Sequence, residues 1–274
     1  MSADLSDLSY SVKYGSVIIT DCKTTAAGEL EIPALIGEKP VTKIGSAAFR
    51  GCSNLTSIII PDGVTTIGDE SFYSCSLLAS ITVPDGVISI GESAFRYCNS
   101  LTSINLPEGI TSIGNSAFHN CGTLSEILIP STVSQIGERA FRDCKNLARI
   151  VIPAGVSSVE RLAFYGCTSL RQIHIEGELP SFGSNVFGGS ANSYITYSGD
   201  QTIVAGRPSF SPSQLFEVNN LRETIQVKDA QIAQLATRPS VQEIQDARAG
   251  SIIMRKDSVT GKAKLEFRIE QTDD

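Results

Sequence analysis

The chain has 274 residues, 41% of them hydrophobic and 7% aromatic, with no tryptophan and a formal net charge of −7. No apolar run approaches the roughly 20 residues a helix needs to cross a bilayer, which argues against membrane insertion. The acidity sits in the first three quarters, where residues 1–206 hold 12 Lys/Arg and 19 Asp/Glu while 207–274 hold 10 of each; a nucleic-acid binder carries the opposite sign, so DNA and RNA are not expected partners.

Met1-Ser2-Ala3-Asp4 has neither a basic region nor an apolar stretch, so no secretory signal stands at this start. Two readings follow, a secreted protein whose leader lies outside this sequence and a cytoplasmic one. Residues 1–43 read as an N-terminal cap. Ser9–Lys13 and Ser16–Thr20 alternate apolar and polar residues about Tyr14-Gly15, which predicts a hairpin. Leu30-Glu31-Ile32-Pro33 then imitates the repeat strand described next, and Ala34–Lys43 reads as an irregular insertion before the first full unit.

From Ile44 to Ser181 the sequence repeats every 23 residues. Six cysteines, Cys52, Cys75, Cys98, Cys121, Cys144 and Cys167, mark six units that condense to IGxxAFxxCxxLxxIxIPxGVxS. A fixed period of this length with one strand-like stretch per unit is the signature of a solenoid. Ile58 and Ile60 follow the period-two spacing of a half-buried strand. Pro61 and its equivalents end that strand, and Gly63 is expected to take a positive φ in the turn beyond. The chain then returns through Ala48, Phe49 and Cys52 equivalents, so each coil points about seven apolar side chains inward. Their burial cannot offset the entropy of ordering a lone 23-residue coil, and the coils must therefore stack, with caps at both ends.

That phrase, repeated six times, resembles the BspA-like leucine-rich repeat family, found largely in bacterial surface proteins. The resemblance covers Ile44–Ser181 closely and extends weakly to about Thr20 and Tyr197. It implies a mostly β solenoid of leucine-rich repeat type with short helical or irregular returns, used for adhesion and protein binding at or outside the cell surface. It fixes no functional residues, because repeat scaffolds are reused for many ligands.

Beyond the repeats, residues 182–199 read as a degenerate last unit: Phe182, Gly183 and Phe187 hold their columns, Ser190 replaces the cysteine, and Tyr194–Tyr197 supplies a final strand. Residues 200–212 look like a linker. Ser211 and Gln214 form a capping box around Pro212, opening a helical segment over 213–250. Its residues Val218, Leu221, Ile225, Lys228, Ile232 and Leu235 are spaced 3-4-3-4-3, a short heptad stripe with one polar interruption. This stripe either packs locally or makes a homo-oligomer through 213–237. Residues 251–274 read as a β-hairpin, completing a small C-terminal α+β segment. Its abrupt stop at Gln271-Thr272-Asp273-Asp274 fits a chain that continues in a longer protein.

The cysteines are expected to form a ladder of buried, reduced thiols. Strand spacing alone would permit disulfides, but equivalent side chains of stacked coils point in parallel rather than toward one another. Cys22 lies outside this ladder and can be exposed. There is no CxxC, no GxGxxG and no GxxxxGK[ST], and His119 and His174 have no repeated acid or nucleophile at triad or metal spacing. Enzymatic activity, cofactors and bound metals are therefore not expected, and both histidines read as polar surface.

What remains is surface. On the strands the outward positions form two columns, Ser57, Ser80, Ser103, Glu126, Arg149 and Gln172 beside Ile59, Thr82, Asn105, Leu128, Val151 and His174. They are expected to lie on one laterally continuous sheet, small and hydroxylated at first, larger and charged at the end. A second column is Arg50, Tyr73, Arg96, His119, Arg142 and Tyr165, residue types enriched at interfaces, but the expected role of these long side chains is first to cover the phenylalanine and cysteine layer. Two functions follow: a non-enzymatic binding or adhesion module whose partner is an extracellular or host protein, or a structural spacer assembled by its C-terminal helix.

Overall fold

The computed structural model describes residues 4–177 and 180–190 in full, together with the backbone of strands at 194–197, 201–204, 251–256 and 263–268. Within the repeats every unit closes one coil with three sides. A broad side carries the leucine and isoleucine strand, a narrow side carries a two-residue strand such as Thr66–Ile67, and a return side carries the Ala-Phe-x-x-Cys segment in consecutive turns rather than helix. In the first coil Ile44, Ala48, Phe49, Cys52, Leu55, Ile58, Ile60 and Val64 all point inward, none more than 2% exposed. The same columns continue through every coil as one core.

The return side turns because two residues per coil adopt left-handed backbone. The first of these is Ala47, Glu70, Ser93, Ser116, Arg139, Leu162 or Asn185, and the second is Gly51, Ser74, Tyr97, Asn120, Asp143, Gly166 or Gly189. The resulting zigzag aims alternate N–H groups at the next coil. Phe49 N–H donates to Ser71 O at 2.7 Å, and Ala47 and Gly51 donate likewise to Asp69 O and Tyr73 O. Three such bonds, each of 2.7–3.0 Å, join every coil to the next from Ala47 to Gly188.

The broad side is less regular than the sequence suggests. Ala27–Glu31, Asn54–Ile59 and Ser80–Thr82 pair in parallel, and Arg149–Ile152, Gln172–Ile175 and Tyr194–Tyr197 do so farther along. The third and fourth coils between them form no strand there. Among the described residues no backbone hydrogen bond involves 103–106 or 126–129, so the expected continuous sheet is two sheets. The narrow side is also interrupted, between Ser89–Ile90 and Ser112–Ile113. Inward residues at the break are slightly less covered, with Ile90 at 8% and Ile127 at 9% exposure against 1% for Ile58 and Ile150. The return side is the continuous ladder.

The turn glycines also depart from expectation. Gly63, Gly86, Gly109 and Gly155 do not have positive φ. They are needed for close approach: a Cβ on Gly109 would lie 2.9 Å from Val87 O, and one on Gly63 2.9 Å from Val41 O. The fourth coil has Thr132 in this position, and its hydroxyl donates toward the carbonyls of Glu108 and Ile110, each at 2.7 Å. A side chain fits there by bonding the oxygens it would otherwise crowd.

At the N-terminus Leu8–Lys13 and Ser16–Cys22 form the expected hairpin. The stretch read as irregular is instead ordered: Leu35–Ile36 pairs antiparallel with Lys39–Ile44, which lies parallel to Ser16–Cys22 and starts the narrow-side ladder. Val41 and Ile44, three residues apart, both fill the core at 0% exposure because the register against Ser16–Cys22 slips at Thr42, and Gly37 and Glu38 both take the positive φ of a tight hairpin turn. At the other end Tyr194–Tyr197 turns antiparallel onto Gln201–Val204, followed by Ala263–Arg268 and Ser251–Lys256 in the same sheet. Residues 201–204 of the stretch read as a linker are therefore a strand, while the rest of it and the helical segment at 213–250, with its stripe Val218, Leu221, Ile225, Ile232 and Leu235, lie outside the described residues.

Candidate binding surfaces

The core beneath the surfaces is built from two ladders on the return side. Phe49, Phe72, Phe95, Phe118, Phe141, Phe164 and Phe187 stack with ring centroids 5.1–5.6 Å apart and planes within 15° of parallel. Beside them each thiol donates to the carbonyl of the phenylalanine one coil earlier, from Cys75 to Phe49 O at 3.0 Å through Cys167 to Phe141 O at 3.1 Å. Ser190 keeps the bond, donating to Phe164 O at 3.4 Å. All seven cysteines are free and buried. Burial pushes Cys75, Cys98, Cys144 and Cys167 well above the ordinary thiol range and Cys121 up to about 12. Cys22, placed by sequence outside the ladder and free to be exposed, is only 2% exposed, and Cys52 donates to its carbonyl at 3.4 Å. It extends the ladder into the cap.

The outward columns of the broad side are where the repeat pattern places them. Ser80, Ser103, Glu126, Arg149 and Gln172 are exposed and Ser57 is half-buried. Ile59 and Leu128 are 47% and 64% exposed, Thr82 and Asn105 are open, and Val151 and His174 are half-buried. Direct cross-strand pairs are Ser57 with Ser80, Ile59 with Thr82, Arg149 with Gln172 and Val151 with His174. Ser103, Asn105, Glu126 and Leu128 stand on the unpaired coils, so the face has two paired ends and an open middle. Arg149 forms no ion pair with any described residue and is exposed on a paired strand.

The second column forms a ridge of guanidinium and aromatic groups. Arg50 lies 4.8 Å from the Tyr73 ring centre, Arg96 lies 5.8 Å from it and 4.9 Å from the Tyr97 ring, and Arg142 lies 5.2 Å from Tyr165. Tyr97 sits edge-on to Tyr73 at 5.4 Å and beside His119 at 5.9 Å. Tyr97 and Asp143, one position past the column, were not among the sequence-derived candidates, and their left-handed backbone is what turns them into the ridge. His119 is not the surface histidine expected. It is 7% exposed, Nδ1 has no hydrogen-bond partner, and Nε2 lies 3.7 Å from Asp143, which also accepts from Arg142 Nε at 3.1 Å. Burial, then the charges of Arg96 and Arg142, hold its pKa down to about 4 despite Asp143. Arg96 also donates to the Tyr97 hydroxyl at 3.2 Å, so the members of this ridge bond chiefly to one another.

Among the described residues no three His, Cys, Asp or Glu side chains converge as metal ligands, and no helix is long and apolar enough to cross a membrane. The chain matches the model of the BspA type leucine rich repeat region, in six copies over residues 27–148 and 135–235. It is similar to the crystal structure of a leucine-rich repeat protein from T. pallidum, at 33% identity and a TM-score of 0.63 over 69% of this chain and 89% of that one. A leucine-rich repeat protein from Bacteroides ovatus matches at 24% identity and a TM-score of 0.54, over 73% of this chain and 58% of that one. Comparison with curated proteins gave no match.

Proposed function

Because the chain belongs to the BspA-type leucine-rich repeat family, we propose that it is a non-enzymatic protein-binding module, displayed at or outside the bacterial surface, whose contact lies at the C-terminal end of the broad face. The supporting observation is the exposed Arg149 without an ion pair, held on a paired strand beside half-buried Val151 and across from Gln172 and His174. A rigid sheet presents such a group at little entropic cost on binding. Arginine with an adjacent aliphatic is the composition of an interface anchor, and the hydroxylated coils around Ser57 and Ser80 supply a polar rim.

The test is biolayer interferometry of the immobilised full chain against a panel of purified extracellular proteins. For a protein that binds, Arg149→Ala and Val151→Ser lower affinity at least tenfold with an unchanged melting temperature, while Ser57→Ala has little effect. Full affinity in both variants places the contact elsewhere.

A further inference from the structure

The N-terminal hairpin ends in a strand whose outer edge no described strand pairs with. Among the described residues Leu8–Lys13 pairs with no strand but Ser16–Cys22, and every residue from Ser9 to Lys13 is exposed, so the strand projects past the core with both faces open. Tyr10 and Val12, opposite the fully buried Ile19 and Val17, are 46% and 49% exposed and prolong the core's apolar face beyond its cover. Five of the nine large hydrophobics exposed among the described residues, Leu5, Tyr10, Val12, Tyr14 and Leu35, lie in this cap. An exposed edge of this kind is usually blunted by a bulge or an inward charge. Here the bulge places its extra residue, Thr20, on the inner strand, leaving the outer edge regular.

We infer that this edge joins the same edge of a second copy of the chain, antiparallel, with the two-fold axis at Ser11. The turn fixes which groups are available. Tyr14 and Gly15 both have positive φ, the geometry of a two-residue hairpin loop, so Lys13 and Ser16 form the closing hydrogen-bonded pair. By alternation Ser11 also faces inward, and Tyr10 and Val12 turn their N–H and C=O groups to the free edge. With the axis at Ser11, Tyr10 of each copy meets Val12 of the other as a hydrogen-bonded pair, an aromatic against a β-branched side chain on one face. Charge agrees with this pairing. One end of the edge carries Asp4, Asp7 and Asp21 with a single Lys23 that pairs with Asp7, the other carries Lys13, and antiparallel association sets each basic end on an acidic one. Lys13 faces Ser9, whose other cross-strand neighbour is Asp21. The return and narrow-side ladders of two solenoids then run outward from a shared hairpin sheet, as an isologous dimer that closes and does not polymerise.

Sedimentation velocity of the full chain tests this across a concentration series, with Val12→Lys and Ser11→Cys. The expected result is a concentration-dependent dimer that Val12→Lys weakens at least tenfold with an unchanged circular dichroism spectrum, because that side chain is half in solvent. Ser11→Cys gives a covalent dimer on mild oxidation, since a non-hydrogen-bonded antiparallel pair has Cα atoms ~4.5 Å apart, within disulfide reach, and the native thiols are buried. Should Val12→Lys disturb the hairpin, the crosslink decides. A monomer at every concentration together with an uncrosslinked Ser11→Cys overturns the inference. So does a dimer indifferent to Val12→Lys that Ser11→Cys fails to trap, which places association elsewhere, for instance at 213–237.

Discussion

Cys121 donates its thiol to the carbonyl oxygen of Phe95, one coil earlier, at 3.0 Å. The column thus needs a small apolar group that is also a weak donor, and cysteine meets both needs. Cys121→Ser keeps the donor, as Ser190 does naturally, and should cost about 1 kcal/mol. Cys121→Ala loses donor and sulfur together and should cost ~1–3 kcal/mol, both measured by urea denaturation. Burial and raised pKa also predict that Cys75 through Cys167 resist iodoacetamide in the native protein and react only on unfolding. Rapid native alkylation would contradict the buried ladder.

Ser71 occupies the column filled elsewhere by Ala48, Ala94, Ala117, Ala140 and Ala163, and its hydroxyl is fully buried with no hydrogen-bond partner among the described residues. A buried orphan hydroxyl costs ~1–3 kcal/mol. Ser71→Ala should therefore stabilise the protein by about 1 kcal/mol, seen as a higher urea midpoint at unchanged slope. A lower midpoint would mean that the hydroxyl is bonded after all.

His119 makes stability depend on pH. Its folded pKa of about 4 lies below the ~6.5 of an unfolded histidine, so between these values the unfolded chain binds the proton that the native one refuses. Stability is lost as pH falls through that window, by on the order of 3 kcal/mol, with no further loss from this group below it. His119→Tyr, the residue type of Tyr73 and Tyr165 in the same column, should flatten the wild-type minus variant difference above pH ~6.5 and favour the variant progressively below it. A difference independent of pH would show that the imidazole is solvated.

The repeat made the core columns legible, because a 23-residue period exposes which positions cannot vary: Phe49 and Cys52 recur in every unit, and the structure buries all their equivalents. The outward columns follow by alternation. What period alone could not show is how the backbone of one coil meets the next. Gly109 looks like a flexible turn residue in sequence, yet its role is contact with Val87 O. His119 sits in a column whose other members are exposed, like Arg50, or half-buried, and it is covered further because Tyr97, Arg142 and Asp143 converge on it. Val41 was hidden in a segment too short and too irregular to display a strand period.

Thr132 offers a direct test of the turn packing. Thr132→Val keeps the shape and replaces the hydroxyl by a methyl against the carbonyls of Glu108 and Ile110, which should cost ~1–3 kcal/mol. Gly109→Ala, which brings a methyl to 2.9 Å from Val87 O, should also destabilise, whereas Thr132→Gly should cost less than Thr132→Val because it removes the crowding along with the bond. Thermal melts of the three variants rank these costs, and a neutral Thr132→Val would refute the hydrogen-bonded fit.

The break in the broad side bears on how the face meets a ligand. Residues 103–106 and 126–129 have no backbone hydrogen bonds among the described residues, while in the same coils Phe95, Tyr97, Phe118 and Asn120 donate to the return-side ladder at 2.8–2.9 Å. Native-state hydrogen exchange should therefore divide each of these coils, with amides of Asn105 and Leu128 exchanging at least tenfold faster than those of Tyr97 and Asn120. Gln172–Ile175, paired with a strand on either side, should be as protected as the return side. Such a pattern means the two paired halves are hinged on the phenylalanine ladder, so a ligand that spans Ser80 and Arg149 must order the middle coils on binding and slow their exchange. Equal protection across all six coils would instead show one rigid sheet, with no ordering cost for a ligand that bridges its ends.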